Sequence, residues 1–286
     1  MNIGTLDSLY RYPVKSMAGE SLSRLPIGQN GIPGDRAWAV RDEERGGIRG
    51  GKRFAALMSC RATYLEEPVT EGASPALITL PSGDTIMTGH PDVADRLSAV
   101  VGSPVTLWPL MPAEALDHYR RGAPLLDDME AELRRVFVRL PNEPLPDLSV
   151  FPPELAEFES PLGTYFDAFP LLVMTRQSLA TMQTVNAASQ WDVRRFRPNL
   201  LLDCPATSGL PESEWAGRKL RVGSALLQLE VACPRCVMTT HGFDDVPSDP
   251  CVMRSLVNEA DGCLGVYASI LEPGEVSLGD QAILID

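Results

Sequence analysis

Cys233 and Cys236 lie in Leu229-Glu-Val-Ala-Cys-Pro-Arg-Cys-Val-Met-Thr-Thr240, with Arg235 between them and two hydroxyls close behind. No other stretch of the chain concentrates reactive groups in this way. Four chemistries are open to the pair. A structural zinc needs four ligands, usually from a second paired motif. Here only Cys251, Cys263 and His241 are at hand, and none has paired spacing. A thioredoxin-like redox pair opens a helix after a strand, whereas residues 237–240 read as β-like. Two buried cysteines at a strand end would do no chemistry. In the fourth, Cys236 offers a soft thiolate to a metal, and the positive charge of Arg235 favours the ionised form.

Other residues suit an anion. Arg194-Arg-Phe-Arg-Pro-Asn199 puts three guanidiniums and an amide at the start of a strand. Lys15-Ser16 follows Tyr12-Pro13, and Asp35-Arg36 closes a Gly-Ile-Pro-Gly turn. Basic side chains beside turn amides bind phosphate-like groups. Each taken singly also reads as a surface charge or a structural ion pair. His241, five residues beyond Cys236, reads either as a proton donor or acceptor on the substrate side or as a solvent-facing loop residue.

The elements that must position these groups are mostly strands. Residues 3–9 alternate as a strand, and 37–41 form a short one after the turn at 31–34. Residues 76–80 and 85–88 predict a hairpin. Residues 90–101 predict a helix with Pro91 in its first turn and Gly102 just past its end, and 105–109 a strand. Residues 130–135 predict a short helix. Prolines 141, 144, 146, 152, 153 and 161 exclude continuous helix or central strand from about 140 to 161. That stretch reads as a surface connection or as a loop over a pocket. Beyond it come a buried strand at 170–174, a helix with Leu179, Met182 and Val185 on one face, and a strand at 199–202. A hairpin from 219–222 to 225–231 follows, with closing strands at 265–271 and 282–285. The expected fold is mainly β with some α: a small N-terminal β-barrel-like domain over 1–115 and a second β-barrel domain over 116–286.

The chain has 286 residues, 44% hydrophobic and 22% charged, which is ordinary for a globular protein. Its formal charge of −13 argues against nucleic acid and anionic membranes as partners. Residues 1–10 show neither a basic n-region nor an apolar run, and no segment approaches the roughly 18 to 20 apolar residues of a membrane-spanning helix. Six cysteines are too sparse for a disulfide scaffold, so a reducing cytoplasm is expected.

Taken together, Leu9-Tyr-Arg-Tyr-Pro-Val-Lys-Ser16, Gly34-Asp-Arg36, Phe196-Arg-Pro-Asn199, Cys233-Pro-Arg-Cys236 with Thr239-Thr240, and the turn at 274–280 resemble MOSC-domain proteins that carry the MOSC N-terminal β-barrel domain. That group includes the mitochondrial amidoxime-reducing component and its bacterial relatives. The resemblance spans almost the whole chain, and it lies in the order and spacing of the motifs. It implies a molybdenum cofactor, molybdopterin with Mo, bound through the thiolate of Cys236. It implies that Pro234 and Arg235 line the cofactor, that Arg197 and Asn199 hold the pterin and its phosphate, and that Lys15, Ser16 and Arg36 close over it from the N-terminal side. Ser178, Thr239 and Thr240 stand where relatives place hydrogen-bonding groups. The implied activity is reduction of small N-hydroxylated or N-oxide compounds. Many relatives carry a fused iron–sulfur domain, but here no cysteine run follows the last strand. A separate iron–sulfur, haem or flavoprotein is therefore the expected electron donor. A cofactor or sulfur carrier without turnover, and a metal-free enzyme with Cys236 as nucleophile, are the alternatives.

Overall fold

The computed structural model describes residues 1–70 and 72–286. Its centre is a closed barrel of seven strands. Around the barrel these run Leu200–Asp203, Leu171–Thr175, Cys263–Glu272, Ala225–Pro234, Lys219–Val222, Gln281–Ile285 and Asn2–Arg11, and the last pairs back to the first. The N-terminal strand is thus the stave that closes a barrel otherwise made by residues 171–285. Gly4 lies on this seam: a Cβ there would stand 1.9 Å from the Asp203 carbonyl oxygen. Only a residue without a side chain lets the strands approach so closely.

The simple alternation expected for residues 3–9 does not hold. Ile3, Leu6 and Leu9 are the buried positions, three apart. The pairing shifts between Asn2 and Gly4 on one side and between Leu6 and Ser8 on the other. Each irregularity advances the phase of the pleat, so the inward face keeps its leucines while the strand coils around the barrel. Leu171, Val173, Leu200, Leu202, Leu220, Val222, Leu227, Leu229, Val266 and Leu284 join them in one core. Leu171–Thr175 and Leu200–Asp203 are parallel, and the helix Arg176–Val185 makes the crossover between them.

A second core fills the N-terminal part and includes Val14, Met17, Val40, Phe54, Leu57, Ile78, Leu97 and Val105. It lies under two small antiparallel sheets, Ile48–Arg49 with Trp38–Asp42 and Val105–Pro109, and Arg61–Thr63 with Leu77–Thr79 and Thr85–Met87. The expected helix is present as Val93–Val101, ended by Gly102 in the left-handed conformation. Arg24–Ile27 pairs with Gly274–Ser277 and ties this part to the end of the chain.

Two local expectations are corrected. Residues 237–240 form a 3-10 turn, not a strand. A helix over Cys251–Ala260 went unread in the sequence, although Val252, Met253, Leu256 and Val257 have helical spacing and are buried. The proline-rich connection has no helix or strand beyond a 3-10 turn at Pro153–Ala156. It is nonetheless packed, with the Phe151 ring 6.2 Å from that of Tyr267 and 6.3 Å from that of Phe169. Among the described residues, no helix is long and apolar enough to cross a membrane.

Candidate functional site

The strand Ala225–Pro234 ends at Pro234, paired with Cys263, and hands the chain to Cys236 at the head of the 3-10 turn Val237–Thr240. The threonines build this turn. The Thr239 amide and hydroxyl both donate to the Cys236 carbonyl, at 3.1 and 3.0 Å, and the Thr240 hydroxyl donates to the Val237 carbonyl at 2.7 Å. Two buried arginines brace it. Arg235 donates to the carbonyls of Leu264 (2.8 Å) and Phe196 (3.0 Å), tying Cys236 to the residue before Arg197. Arg195 donates to the carbonyls of Gln190, Thr239, His241 and Pro247, so a buried cation is solvated by backbone. Cys236 is half-buried against Met58, Met238, Phe243 and Val246. Burial pushes its thiol pKa up, Lys52 pulls it down, and Asp167 adds to the rise.

Next to this turn, the two parts of the chain share a cluster around Tyr12. The guanidiniums of Arg197 and Arg36 lie over its ring, 4.2 and 4.9 Å from the centroid. Asp35 pairs with Arg36 and accepts from the Tyr12 amide (2.7 Å) and the Asn199 side-chain amide (3.2 Å). Asn199 also receives the Leu172 amide at 3.2 Å, so it spans both parts. Arg197 gives Nη1 to the Met17 carbonyl, while its Nη2 is buried without a partner. Burial lowers the Arg197 pKa to about 10, and neighbouring Arg36 adds to the fall. Ser16, Arg36 and Arg197 all have left-handed backbone, with φ of 70°, 52° and 57°. That conformation is costly for residues with a Cβ, and it gathers where a site over-determines the backbone.

A third group links cluster and turn. Lys15 Nζ donates to the Tyr165 carbonyl (2.8 Å) and to Asp167 Oδ1 (2.9 Å), and Lys52 Nζ stands 3.7 Å from the same oxygen. The loop carrying Lys52 is clamped on both sides. The Gly51 amide donates to Ser16 Oγ at 2.8 Å, and His241 Nε2 donates to the Gly51 carbonyl at 3.0 Å. A Cβ on Gly51 would meet Met238 Cε at 2.8 Å, so glycine lets this loop sit on the Cys236 turn. His241 is therefore a loop clamp, and burial lowers its pKa while the hydrogen bond to Gly51 opposes the fall.

Lys15, Ser16, Arg36, Arg197 and Asn199 converge, and the Gly51 loop joins them to the Cys236 turn. Pro234, Arg235 and Thr239 shape the turn through backbone contacts. Ser178 stands apart: its hydroxyl donates to Glu212 Oε2 at 2.5 Å, beside the Thr175 hydroxyl at 2.7 Å on the same oxygen. Lys52 and Asp167 went unread in the sequence, and Tyr12 and Asp35 were read only as parts of their motifs. One signal for Lys52 was available, because the chain has only three lysines, at 15, 52 and 219, and two of them meet here. Four cations against two carboxylates leave positive charge in excess within a chain of net charge −13. Among the described residues, no three His, Cys, Asp or Glu side chains gather so as to hold a metal ion by themselves, and all six cysteines are free thiols.

An anionic group fits this arrangement. The buried, unpartnered Arg197 Nη2 is a donor that awaits an acceptor, and the excess positive charge compensates an anion. The half-buried Cys236 thiol, on the turn that the Gly51 loop joins to this cluster, provides a soft ligand. Residues 163–282 match the MOSC domain, and residues 3–89 match the MOSC N-terminal beta barrel domain. Mitochondrial amidoxime reducing component 2 of Bos taurus is 23% identical over 97% of this chain and 82% of its own length. The protein of that name from Homo sapiens is 30% identical over 41% of this chain and 37% of its own length. Among solved structures, the YUAD protein from Bacillus subtilis aligns over 98% of this chain and 94% of its own, at 12% identity and a TM-score of 0.44. YiiM from Escherichia coli aligns over 41% and 55%, at 21% identity and a TM-score of 0.32.

Proposed function

We propose, from the premise that this chain is a MOSC-domain protein carrying the MOSC N-terminal β-barrel domain, that it is a molybdenum-cofactor-dependent reductase of N-hydroxylated or N-oxide compounds. The observation that carries the proposal is Arg197. Its guanidinium lies over Tyr12 with one nitrogen buried and unpartnered, in a cluster joined through Ser16 and Gly51 to the Cys236 turn. The relatives named amidoxime reducing components support the substrate class.

When bound, the molybdenum cofactor supplies two-electron oxygen-atom chemistry at the metal. The chain's own residues hold and orient it. Arg197 and Arg36 would receive its phosphate and pterin, since guanidiniums give forked, charge-assisted bonds to such acceptors. Ser16 and Lys15 would close from the N-terminal part. Cys236 would give the metal its protein thiolate, and the Lys52 charge nearby favours loss of the thiol proton. Arg235, Arg195 and Thr239 keep the turn in place through carbonyl contacts, so the thiolate is positioned before any ligand arrives. Electrons would come from a separate iron–sulfur, haem or flavoprotein donor.

The test is metal content and turnover together. The wild-type chain, made in a host that synthesises the cofactor, is expected to carry about one molybdenum and to reduce an amidoxime with an artificial reductant. Cys236→Ser is expected to lose both. Equal metal in the two proteins refutes the thiolate assignment. A loaded wild type inert to every N–O substrate identifies a cofactor carrier instead.

A further inference from the structure

Lys52 differs from the other cations of the site in how little holds it. Arg36 is paired with Asp35, and Lys15 gives hydrogen bonds to a carbonyl and a carboxylate. The Lys52 side chain is 41% exposed, and its one close partner is Asp167 at 3.7 Å, beyond hydrogen-bond length. An ammonium has three protons to give. The carboxylate opposite, Asp167, is 46% exposed, and its Oδ1 accepts from Lys15 at 2.9 Å while facing Lys52 at 3.7 Å. Its backbone lies in a run without helix or strand between Pro153–Ala156 and Leu171–Thr175. The other nearby carboxylate, Glu159, is held by Arg49 at 2.8 Å and Arg121 at 2.6 Å. The backbone beneath Lys52 is rigid, because Ser16 and His241 clamp Gly51.

We propose that Lys52 is the specificity residue of the Cys236 site, receiving the negative charge of an anionic substrate, and that Asp167 is a tethered carboxylate which such a substrate displaces. The geometry is that of an anion site already filled from within. The buried ammonium of Lys15 and the half-exposed one of Lys52 face one oxygen of a half-exposed carboxylate, beside the turn that presents Cys236. The Lys52–Asp167 pair is half-exposed and beyond hydrogen-bond length, so Lys52 exchanges it readily for an external carboxylate or other oxyanion. The inner cations are left to the cofactor. The substrate class is thereby narrowed to N-hydroxylated or N-oxide compounds bearing a carboxylate or similar group, a step that rests on the reductase reading.

Two arms test it separately. In the first, inorganic phosphate is titrated calorimetrically into the cofactor-free chain at low salt. Asp167→Asn is expected to bind phosphate about tenfold more tightly than wild type, the gain of a freed charge-assisted contact. Asp167→Asn with Lys52→Met is expected to lose that gain. Phosphate held by Arg36 and Arg197 is unaffected by Lys52, so equal affinity of the single and double variants overturns the assignment. In the second arm, the loaded enzyme is assayed with a carboxylate-bearing amidoxime and its neutral carboxamide counterpart. Lys52→Met is expected to raise KM of the carboxylate-bearing amidoxime about tenfold relative to that of the carboxamide; any effect through the Cys236 thiolate is common to both substrates and cancels in the ratio, and an unchanged ratio overturns the proposal. Absence of turnover in the wild type would count against the reductase reading, while the phosphate arm would still decide the role of Lys52.

Discussion

Two buried polar clusters lie in this molecule, and they are built in opposite ways. Around Glu212 the account closes. The carboxyl is 1% exposed and receives the hydroxyls of Ser178 and Thr175 and the Thr175 amide. Around Arg197 it stays open, with a buried nitrogen lacking a partner, positive charge in excess and three left-handed residues with side chains. A closed network adds rigidity and asks for nothing more. An open one costs stability and persists where a ligand completes it. Ser178 and Arg197 were both read as cofactor-binding residues, and this difference is what separates them.

Substitutions should pull the two clusters apart. Glu212→Leu leaves two hydroxyls and an amide without their acceptor, and we expect a loss of roughly 2 to 4 kcal/mol, read as a lower denaturant midpoint. Cofactor retention in the folded fraction should be unchanged. A selective loss of cofactor would break the comparison by making the Glu212 cluster part of the site. Arg197→Met should do the reverse. It removes a half-buried cation whose Nη2 is buried without a partner, so stability should rise by about 1 kcal/mol, while molybdenum retention falls about tenfold. A clear drop in stability would mean that the cation is structural.

The smallest effect is one of pH. Burial raises the Glu212 carboxyl above its ordinary value of 4.5, and the hydrogen bonds from Ser178 and Thr175 oppose the rise. An acid with a raised folded-state pKa binds more protons folded than unfolded. Its contribution is therefore full below the ordinary value and is lost as pH climbs through the raised one. Glu212→Gln should flatten that fall, and urea melts at several pH values starting near 4.5 would show it. An identical pH profile in the variant would mean that Glu212 is ionised in the fold.

Much of the site was legible in the residues. Lys15-Ser16, Asp35-Arg36, Arg197-Pro-Asn199 and Cys236 each sit in a short motif whose residue types state their chemistry. What was not legible was the use each group is put to. Arg235 and His241 carry the right chemistry for a ligand or a proton, yet both are committed to backbone carbonyls. Those carbonyls come from residues as far off as Phe196 and Gly51, a distance no local pattern records. Asp167 has no motif around it and gains its role only by meeting Lys15 and Lys52 across more than a hundred residues.

The same division runs through the fold. The sequence alone determined the elements, because apolar periodicity, glycine turns and proline breaks act within a few residues. It missed the Cys251–Ala260 helix and took the turn after Cys236 for a strand, where tertiary contacts from Arg195 and the threonine caps decide the backbone. Only the tertiary structure decided that Asn2–Arg11 closes the barrel against Leu200–Asp203. Strand pairing depends on which edges remain free once the other strands have packed, and that is a property of the assembled sheet. Closing the barrel fixes the chain at Arg11, next to Tyr12, and so carries Lys15, Ser16 and Arg36 to the residues on which their function depends.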